Sequence, residues 1–483
     1  MTYRPTIGLE VHAELATETK MFCHCKNDSE ASAPNTNVCP VCLAHPGTLP
    51  AANREAIYRV LRVGAALGSK LADYSEFDRK SYFYPDIPKG YQITQFEYPF
   101  VAGGELAGVA ITRIHLEEDT ARSTHEGADN TSEVDFNRAG IPLMELVTEP
   151  VIHDAKTAGN FARELQQLLR TLGVSHANLE KGEMRIEANI SVSKNETFGT
   201  KVEVKNLNSF RTVERAIEFE IARQSKLLDE GGVVSQETRG WDENKQETFR
   251  QRSKEGSADY RYFPEPDLPK ILRSDISEWS DEALKASLPE LPAAVRGRYV
   301  ALGMKDDDAV FVAYNTARRE FFDAVVTQLN DDTSAHALAV NYFISDLSGL
   351  VANATATEND VTNVDESVAT FGGVTPESFA ALIRMVKENK LSSRGAKDTL
   401  ALMFVKGGDP ELIASEAGLM QVSDPAALQA AVRQVLEANP GAVEDYKGGK
   451  EAGLQFLLGQ SMKATKGAGN PALLRELLLK ELA

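Results

Sequence analysis

Long apolar runs are absent from this sequence. No stretch approaches the ~18 apolar residues that a membrane-spanning helix requires. The chain starts MTYRPTIGLEV, which has neither a basic segment followed by an apolar one nor the Arg-rich character of a transit peptide. These absences argue against a membrane-spanning or secreted protein, and we expect a cytoplasmic one.

Positive charge is also in short supply. Lysine and arginine number 52 against 71 aspartates and glutamates, so the formal net charge is -19. Non-specific affinity for nucleic acid comes mainly from neutralising phosphates, so this balance excludes wholesale coating of nucleic acid but permits a local basic patch. Such a patch is predicted at Lys447, Lys450, Lys463 and Lys466, in a run with one acidic residue. An ordinary solvated helix face is the alternative.

Cysteine is rare, and its four copies, Cys23, Cys25, Cys39 and Cys42, fall close together. The pattern C-x-C, thirteen residues, C-x-x-C suits a tetrahedral thiolate site. The intervening segment is poor in apolar residues and needs a metal to hold its shape. Two disulfides or buried apolar thiols are the alternatives. Because no secretory context is evident, we favour a structural zinc ion, whose four thiolates close the coordination shell.

A strand with a polar face precedes the cysteines. In IGLEVHAEL, Ile7 to Leu15, side-chain alternation places Glu10, His12 and Glu14 on one face. Such oxygen and nitrogen donors suit a divalent cation, with later carboxylates completing its shell. A polar face turned to solvent is the alternative. The acidic triplet 117–119, at the end of a later strand, likewise needs either cations or solvent to offset its repulsion.

Two further segments have the composition of contact surfaces. Residues 77–99 mix aromatic side chains with cations and prolines, which favours stacking and phosphate contact; a loop packed on a sheet is the alternative. Farther along, Lys205, Asn206, Asn208 and Ser209 lie between a strand and a helix. Their amides and ammonium group could meet a phosphate at the start of that helix.

The apolar periodicity changes along the chain and predicts its domains. We predict an α+β fold, with a mixed-sheet domain at 1–290 that carries the cysteine knuckles. An all-α domain follows at 291–404, and a small helical tail occupies 405–483. Residues 351–375 contain neither Lys nor Arg and are predicted to be a polar insertion. Residues 241–269 lack an apolar period and are predicted to be a surface loop close to the site.

Seven blocks, read in order, form a recognisable set. They are IGLEVHAEL, CPVCLAHPGTLP, FDRKSYFYPDIPKGYQITQ, IHLEEDTARSTH, DFNRAGIPLMELVTEP, EVKNLNSF and SADYRYFPEPDLP. Together they resemble the GatB/GatE family, the B subunits of bacterial tRNA-dependent amidotransferases. The segment YKGGKEAGLQFLLGQSMKATKGAGNPALLRELL resembles the family's tail domain, which is related to the helical protein YqeY. The resemblance implies a catalytic cradle at 1–290 and a tRNA-binding tail at 405–483.

The resemblance also implies a two-step reaction within translation. The B subunit uses ATP to phosphorylate the side-chain carboxylate of Glu on the glutamine tRNA, or of Asp on the asparagine tRNA. Ammonia from the glutaminase A subunit, GatA, then displaces the phosphate, and the C subunit, GatC, completes the heterotrimer. The activity implied is that of a carbon–nitrogen ligase with glutamine as the amide donor.

Site roles follow from the same resemblance. Mg²⁺ is expected at Glu10, His12 and Glu118, the last favoured over the preceding glutamate. The expected catalytic lysines, at the channel end and substrate pocket, are Lys80 and Lys89, alongside Glu118. The expected nucleotide- or substrate-binding residues also include Arg138 and Glu187. The turn with Lys205, Asn206, Asn208 and Ser209 is our separate hypothesis for binding nucleotide phosphates. The family often has Asp in place of Glu187, which keeps the charge and extends its reach by one methylene.

Two other functions fit the residues. A non-catalytic, zinc-stabilised subunit would bind tRNA through its helical tail and use the acidic cluster only structurally. A metallohydrolase built on the histidine and glutamates would act without ATP. The two therefore differ from the amidotransferase in their need for a nucleotide.

Overall fold

A computed structural model divides the chain into two compact units, Met1–Pro292 and Ala293–Ala483. None of the helices in the described ranges is both long and apolar enough to cross a membrane. The residues that the structure describes are 3–31, 33–124, 131–253, 257–330, 332–357, 371–421, 425–465 and 469–482.

The first unit combines strands and helices. Its strands are β1 (Arg4–Glu14), β2 (Lys70–Leu71), β3 (Tyr74–Ser75), β4 (Asp78–Ser81), β5 (Tyr91–Thr94), β6 (Val101–Ala102), β7 (Glu105–Leu106), β8 (Val109–Glu118), β9 (Arg122–Thr124), β10 (Glu133–Asp135), β11 (Pro142–Thr148), β12 (Met184–Ser193), β13 (Val202–Leu207), β14 (Glu237–Asp242), β15 (Glu247–Ser253), β16 (Phe263–Pro264) and β17 (Ile271–Leu272). Its helices are α1 (Arg54–Ala66), α2 (Ala155–Thr171), α3 (Phe210–Asp229) and α4 (Asp281–Ala286), with 3₁₀ turns at Ser257–Tyr260, Arg273–Asp275 and Ser277–Trp279.

One large sheet organises the unit. Among the described residues it has ten strands in the order β15-β14-β13-β12-β1-β11-β8-β6-β2, with β7 paired to β8. β1 lies between β12 and β11 and is antiparallel to both, whereas β13 and β14 are parallel, so the sheet is mixed. The apolar residues Ile7, Leu9, Val11 and Ala13 are fully buried in a core shared with α1, α2 and α3. The opposite face of β1 therefore carries its polar side chains.

Helix α2 illustrates how local sequence sets these boundaries. Asp154 precedes it, and its Oδ1 accepts a hydrogen bond of 2.7 Å from the backbone N–H of Thr157, which caps the helix. Gly173, with φ of +65°, lies just beyond its end. Phe161 and Leu165 belong to the buried stripe of this helix. The helix consequently covers the apolar face of the sheet.

The prediction of a surface loop at 241–269 is wrong for the first part of that range. β14 and β15 form an antiparallel hairpin there, at one edge of the large sheet. Its side chains are joined by ion pairs: Arg239 Nη1 lies 2.6 Å from Glu237 Oε1, and Arg250 Nε lies 3.1 Å from Glu237 Oε2. An edge strand stabilised by paired charges shows no apolar period, so its sequence does not look like a strand.

The second unit is helical. Its helices are α5 (Pro292–Ala301), α6 (Asp306–Ala313), α7 (Thr316–Leu329), α8 (Thr333–Asn341), α9 (Ser348–Thr357), α10 (Pro376–Lys387), α11 (Ser393–Lys406), α12 (Pro410–Glu416), α13 (Pro425–Ala438), α14 (Pro440–Lys447), α15 (Glu451–Ala464) and α16 (Pro471–Leu482), with a π-helical turn at Tyr342–Leu347. One apolar cluster runs from Val295 to Ala414 and another from Leu428 to Leu482. The mixed N-terminal sheet and the helical C-terminal part confirm the predicted α+β class, while the three-domain boundaries stay a prediction.

The predicted polar insertion begins later than its composition indicates. Helix α9 continues to Thr357, so the first residues of 351–375 are helical. Residues 358–370 lie outside the described ranges. Small residues such as Ala and Thr are compatible with a helix end even where Lys and Arg are absent.

A buried carboxylate ties helix α3 to the edge hairpin. Glu220 is fully buried and accepts two hydrogen bonds from Arg223, at 2.6 and 2.8 Å. Thr248 Oγ1 donates a third at 3.0 Å, and Arg239 Nε lies 3.7 Å away. Removing the carboxylate would leave Arg223 without its counter-charge, whereas Arg239 would keep Glu237.

We therefore expect Glu220→Ala to destabilise the first unit by about 3 kcal/mol, the lower end for a broken buried pair because Arg223 keeps partial solvent contact. Both tryptophans, Trp241 and Trp279, lie in this unit, so tryptophan fluorescence during urea unfolding reports it selectively. Glu218→Ala, an exposed position on the same helix, is the control. Equal unfolding midpoints for the two variants would contradict the role of Glu220.

Candidate active site

The polar face of the large sheet gathers charged side chains from four strands. On β1, His12 lies opposite Arg185 of β12 on one side and opposite Glu145 of β11 on the other. Glu145 in turn lies opposite His115 of β8. Antiparallel pairing brings residues in register onto the same face, so these four side chains form one row.

Carboxylates surround the two imidazoles of this row. His12 Nε2 lies 3.3 Å from Glu145 Oε2, 3.8 Å from Glu117 Oε1 and 3.9 Å from Glu10 Oε1. His115 Nε2 lies 3.3 Å from Glu145 Oε2 and 3.7 Å from Glu117 Oε2. Glu117, Glu145 and His115 are all buried. The cluster thus concentrates negative charge in a place with little water.

The pKa values reflect this enclosure. Burial, reinforced by Glu145 and Glu187, raises the pKa of Glu10 to about 7. Although burial opposes it, the hydrogen bond and charge of Glu145 raise the pKa of His12 to about 9. The histidines of the cluster therefore hold protons that balance its carboxylates.

Two ligand sets in this cluster fit a divalent cation. One is Glu10, His12 and Glu187, and the other is His12, Glu117 and Glu145; within each set the ligand atoms lie within 4.8 Å of one another. Oxygen and imidazole nitrogen are donors that Mg²⁺ and Mn²⁺ accept, and a cation would replace the protons in balancing the buried carboxylates. The residues present fit such an ion.

Glu118 does not join the predicted Mg²⁺ set. Successive strand residues point to opposite faces, so Glu117 faces His12 while Glu118 points away. Glu118 Oε2 accepts from Lys89 Nζ at 2.7 Å, and its Oε1 accepts from the backbone N–H of Ile93 at 2.9 Å. Of the predicted set, the structure brings together Glu10 and His12, and Glu117 rather than Glu118 accompanies them.

The two predicted catalytic lysines separate in the same way. Lys80 Nζ lies 4.9 Å from the ring centroid of Tyr260. Although burial opposes it, the charge of Glu117 raises the pKa of Lys80, which keeps this side chain cationic beside the cluster. Lys89 instead pairs with Glu118. Lys80 accordingly belongs to the histidine face and Lys89 to the other side of β8.

A cavity of about 230 Å³ lies beside the Lys89–Glu118 pair. Its lining includes Tyr91 and Asp267 as well as the cysteine loop, from which Cys42 contributes. The cavity therefore joins the ion pair of β8 to the cysteine segment.

Arginines flank the other end of the row. Arg185 Nη2 donates to Asp119 Oδ2 at 3.0 Å, and Arg138 Nε lies 3.7 Å from the same oxygen. Arg138 also donates to the backbone carbonyl oxygens of Thr120 and Ala121, both at 3.0 Å. Arg138 thus stabilises the turn after β8, while Arg185 extends onto the polar face.

The side chains of the predicted phosphate-binding turn, residues 205–209, have different surroundings. Lys205 Nζ pairs with Glu187 Oε2 at 2.8 Å, so this lysine belongs to the group of charged side chains around Glu10 and His12. Ser209 Oγ accepts from the backbone N–H of Thr212 at 3.1 Å and caps α3. The exposed side chains of this turn are Asn206 and Asn208. The nucleotide-phosphate role of the turn stays a prediction.

The cysteine centre has the geometry of a metal site. The four thiol sulfurs lie within 4.8 Å of one another and are not joined as disulfides. Cys42 Sγ lies 3.8 Å from Cys39 Sγ and 4.0 Å from Cys25 Sγ. A tetrahedral zinc centre with bonds of ~2.3 Å has sulfurs ~3.8 Å apart. A hydrogen bond from Cys23, outweighing the effect of burial, lowers the pKa of Cys42 to about 5, which favours the thiolate form that binds metal.

Three of the predicted tail lysines lie in the described residues. Lys447 ends α14, Lys450 precedes α15 and Lys463 lies near the end of α15; all three are exposed. Lys450 Nζ pairs with Asp445 Oδ1 at 2.7 Å. Lys466 lies outside the described residues. Lys447 and Lys463 are thus exposed cations of the tail, and their role in tRNA binding stays a prediction.

Sequence reasoning missed three members of the polar row, Glu145, His115 and Arg185, and it preferred Glu118 to Glu117. The segment IHLEE, residues 114–118, could have indicated two of these side chains. Its period of two places His115 and Glu117 on the same face of the strand. Which strands lie beside β1 depends on pairing over more than a hundred residues of sequence separation, which one sequence does not contain.

Comparisons with known proteins cover both units. Residues 5–277 match the GatB/GatE catalytic domain, and residues 320–482 match the GatB domain. The B subunit of the aspartyl/glutamyl-tRNA(Asn/Gln) amidotransferase of Crocosphaera subtropica is 41% identical over 503 aligned positions, covering 99% of this chain and 98% of that protein. The protein of the same name from Caldanaerobacter subterraneus is 42% identical over 494 positions, covering 100% of each. In Oryza sativa, the B subunit of the chloroplastic/mitochondrial glutamyl-tRNA(Gln) amidotransferase is 41% identical, covering 99% and 88%.

The position of Glu117 generates a direct test. Because Glu117 faces His12 and Glu118 does not, we expect Glu117→Gln to weaken Mn²⁺ binding to the full chain at least tenfold and Glu118→Gln to leave it within twofold. Electron paramagnetic resonance titration of free Mn²⁺ measures both. The neighbouring substitutions are matched in charge and size, so the reverse order of affinities would restore Glu118 as the ligand.

Proposed function

Because this chain belongs to the GatB/GatE family of tRNA amidotransferase B subunits, we propose that it activates a side-chain carboxylate on a misacylated tRNA by phosphorylation. The substrates are ATP with Glu on the glutamine tRNA, Asp on the asparagine tRNA, or both. Ammonia from a glutaminase A subunit then displaces the phosphate, and a C subunit completes the assembly. The overall reaction is that of a glutamine-dependent carbon–nitrogen ligase.

The observation that carries this proposal is the row of His12 and the buried Glu145 and His115, with cationic side chains beside it. A carboxylate is a poor acyl donor, and its acyl phosphate is open to attack by ammonia. Phosphoryl transfer asks a protein for positioning and charge neutralisation more than for a covalent partner. A rigid polar sheet face with cations at its rim supplies both.

We assign roles to the residues of this face. Lys80 is cationic beside Glu117, where it can contact phosphoryl oxygens. Arg185 is fixed by Asp119 through one nitrogen and can direct the rest of its guanidinium to a phosphate or carboxylate. Glu10 and His12, with Glu117 or Glu187, would hold Mg²⁺, which would supply charge neutralisation at the transferred phosphate.

The other predicted residues have supporting roles. Lys89 and Glu118 border the cavity on the opposite side of β8, and we assign this region to the arrival of ammonia. The four cysteines hold a structural zinc ion, because four thiolates leave no position open for substrate. Exposed lysines of the tail, Lys447 and Lys463, contact the tRNA backbone.

Formation of the acyl phosphate tests the proposal. The chain is produced with its A and C partners and given γ-labelled ATP, Mg²⁺ and Glu-tRNA or Asp-tRNA without any ammonia source. We expect label on the aminoacyl-tRNA. His12→Ala should lower its formation roughly a hundredfold, the scale of losing an electrostatic contact in the transition state, while tRNA binding persists.

His176→Ala, an exposed histidine in the same unit, is the control and should keep full labelling. No label with either tRNA, while both still bind, would replace this proposal with a non-catalytic tRNA-binding subunit. Turnover without ATP would indicate a metallohydrolase instead.

The tail generates a separate prediction. Lys447→Glu combined with Lys463→Glu should weaken tRNA binding about tenfold at 0.1 M salt and flatten its salt dependence, because fewer phosphates are neutralised. Glutamine hydrolysis by the A subunit should not change. Filter binding over a salt series measures the first effect. Lys305→Glu combined with Lys390→Glu, two exposed positions in the second unit but outside 405–483, is the charge-matched control, and an equal loss there would remove the tail's specific role.

A further inference from the structure

Lys20 is a fully buried lysine that no step of the proposed reaction uses. Its Nζ donates to the backbone carbonyl oxygen of Asn37 at 2.9 Å and to that of Phe136 at 3.3 Å. The third neighbour is the sulfur of Cys42, at 4.0 Å. Within the described part of the chain, Lys20 forms no ion pair with a carboxylate.

Such burial requires a counter-charge. Moving an ammonium group out of water costs several kcal/mol unless an anion or strong hydrogen bonds compensate for it. The two carbonyl groups satisfy two donors and carry only partial charge. Four thiolates around one Zn²⁺ carry more negative charge than the metal neutralises, and the Cys42 sulfur is the anion that Lys20 approaches.

The same lysine lies where two segments meet. Asn37 belongs to the cysteine segment, and Phe136 belongs to the segment that leads into β11. Further contacts join these segments: the backbone N–H of Asn37 donates to Asn137 Oδ1 at 2.8 Å, and that of Met21 donates to the carbonyl of Gly140 at 2.7 Å. The metal centre is thereby attached to the strand that carries Glu145.

We propose that Lys20 is the internal counter-ion of the cysteine centre, and that it positions this centre against residues 133–140. The proposal rests on the cysteines holding a metal, and not on the amidotransferase reaction. By offsetting the excess thiolate charge, Lys20 slows loss of the metal. It acts on the metal through Cys42 and is a positioning residue.

Metal release from the full-length chain tests this. The variant is Lys20→Met, which keeps the length of the side chain and removes its charge. Lys26→Met is the matched control, because Lys26 lies on the same segment with its Nζ exposed and 3.0 Å from Asp28 Oδ2. Zn²⁺ is loaded, its content is measured by mass spectrometry, and its transfer to EDTA is followed over time. We expect at least tenfold faster release from K20M and no change in K26M.

A spectroscopic readout separates charge from packing. In chains loaded with Co²⁺, removing a cation beside Cys42 raises the energy of its sulfur electrons, so the sulfur-to-cobalt charge-transfer band should move to longer wavelength in K20M only. A merely structural lysine would leave this band in place. Release and band position equal to the wild type would overturn the proposal.

Remaining outcomes are also decisive. If K20M does not fold, Lys20→Arg, which keeps the positive charge, replaces it. A K20R chain that retains its metal with an unshifted band supports Lys20 as the counter-ion. Metal loss from a folded K20R chain, or failure of K20R to fold as well, overturns the proposal. A wild-type chain that binds neither Zn²⁺ nor Co²⁺ overturns both the zinc assignment and this proposal. None of these results depends on acyl-phosphate formation, so failure of the proposed reaction is recognised separately.

Discussion

The alternation of side chains along β1 is the constraint on which the first unit depends. Its apolar residues, such as Leu9 and Val11, close the core against three helices, and the intervening Glu10 and His12 are thereby fixed on the opposite face. A shift of one residue in register would bury the charges and expose the core residues. The core and the carboxylate–histidine cluster are therefore specified by the register of the same strand, and a shift in that register would disrupt both.

Much of this could be predicted from the sequence, where short-range patterns determine the outcome. The spacing of the cysteines indicated one thiolate centre, and the period of two in β1 placed Glu10 and His12 together. The choice of Glu118 overlooked that same period. Leu116 is buried in the core, so the residue two positions later lies on the same side as Leu116, away from His12, while the metal role of either glutamate stays a prediction. The alternation of side chains along β8 therefore favours Glu117 as the glutamate that faces His12.

Other features were beyond a single sequence. Glu145 and Arg185 reach His12 only because β11 and β12 pair with β1, and nothing local encodes those partners. The edge hairpin escaped notice for a different reason, since ion pairs such as that of Arg250 with Glu237 replace the apolar period by which strands are recognised. Long-range register and charge-stabilised edges are the two kinds of information that periodicity omits.

The shared position of His12 has a consequence for ion occupancy. The nitrogen that faces Glu10, Glu117 and Glu145 is one atom, Nε2, and it has a single lone pair to donate. The two ligand sets on either side of it therefore compete for that lone pair, and coordination on one side weakens the other. The polar face would then have two ion-binding positions that show negative cooperativity. An ion could move from one position to the other, but His12 could not coordinate ions in both positions at once.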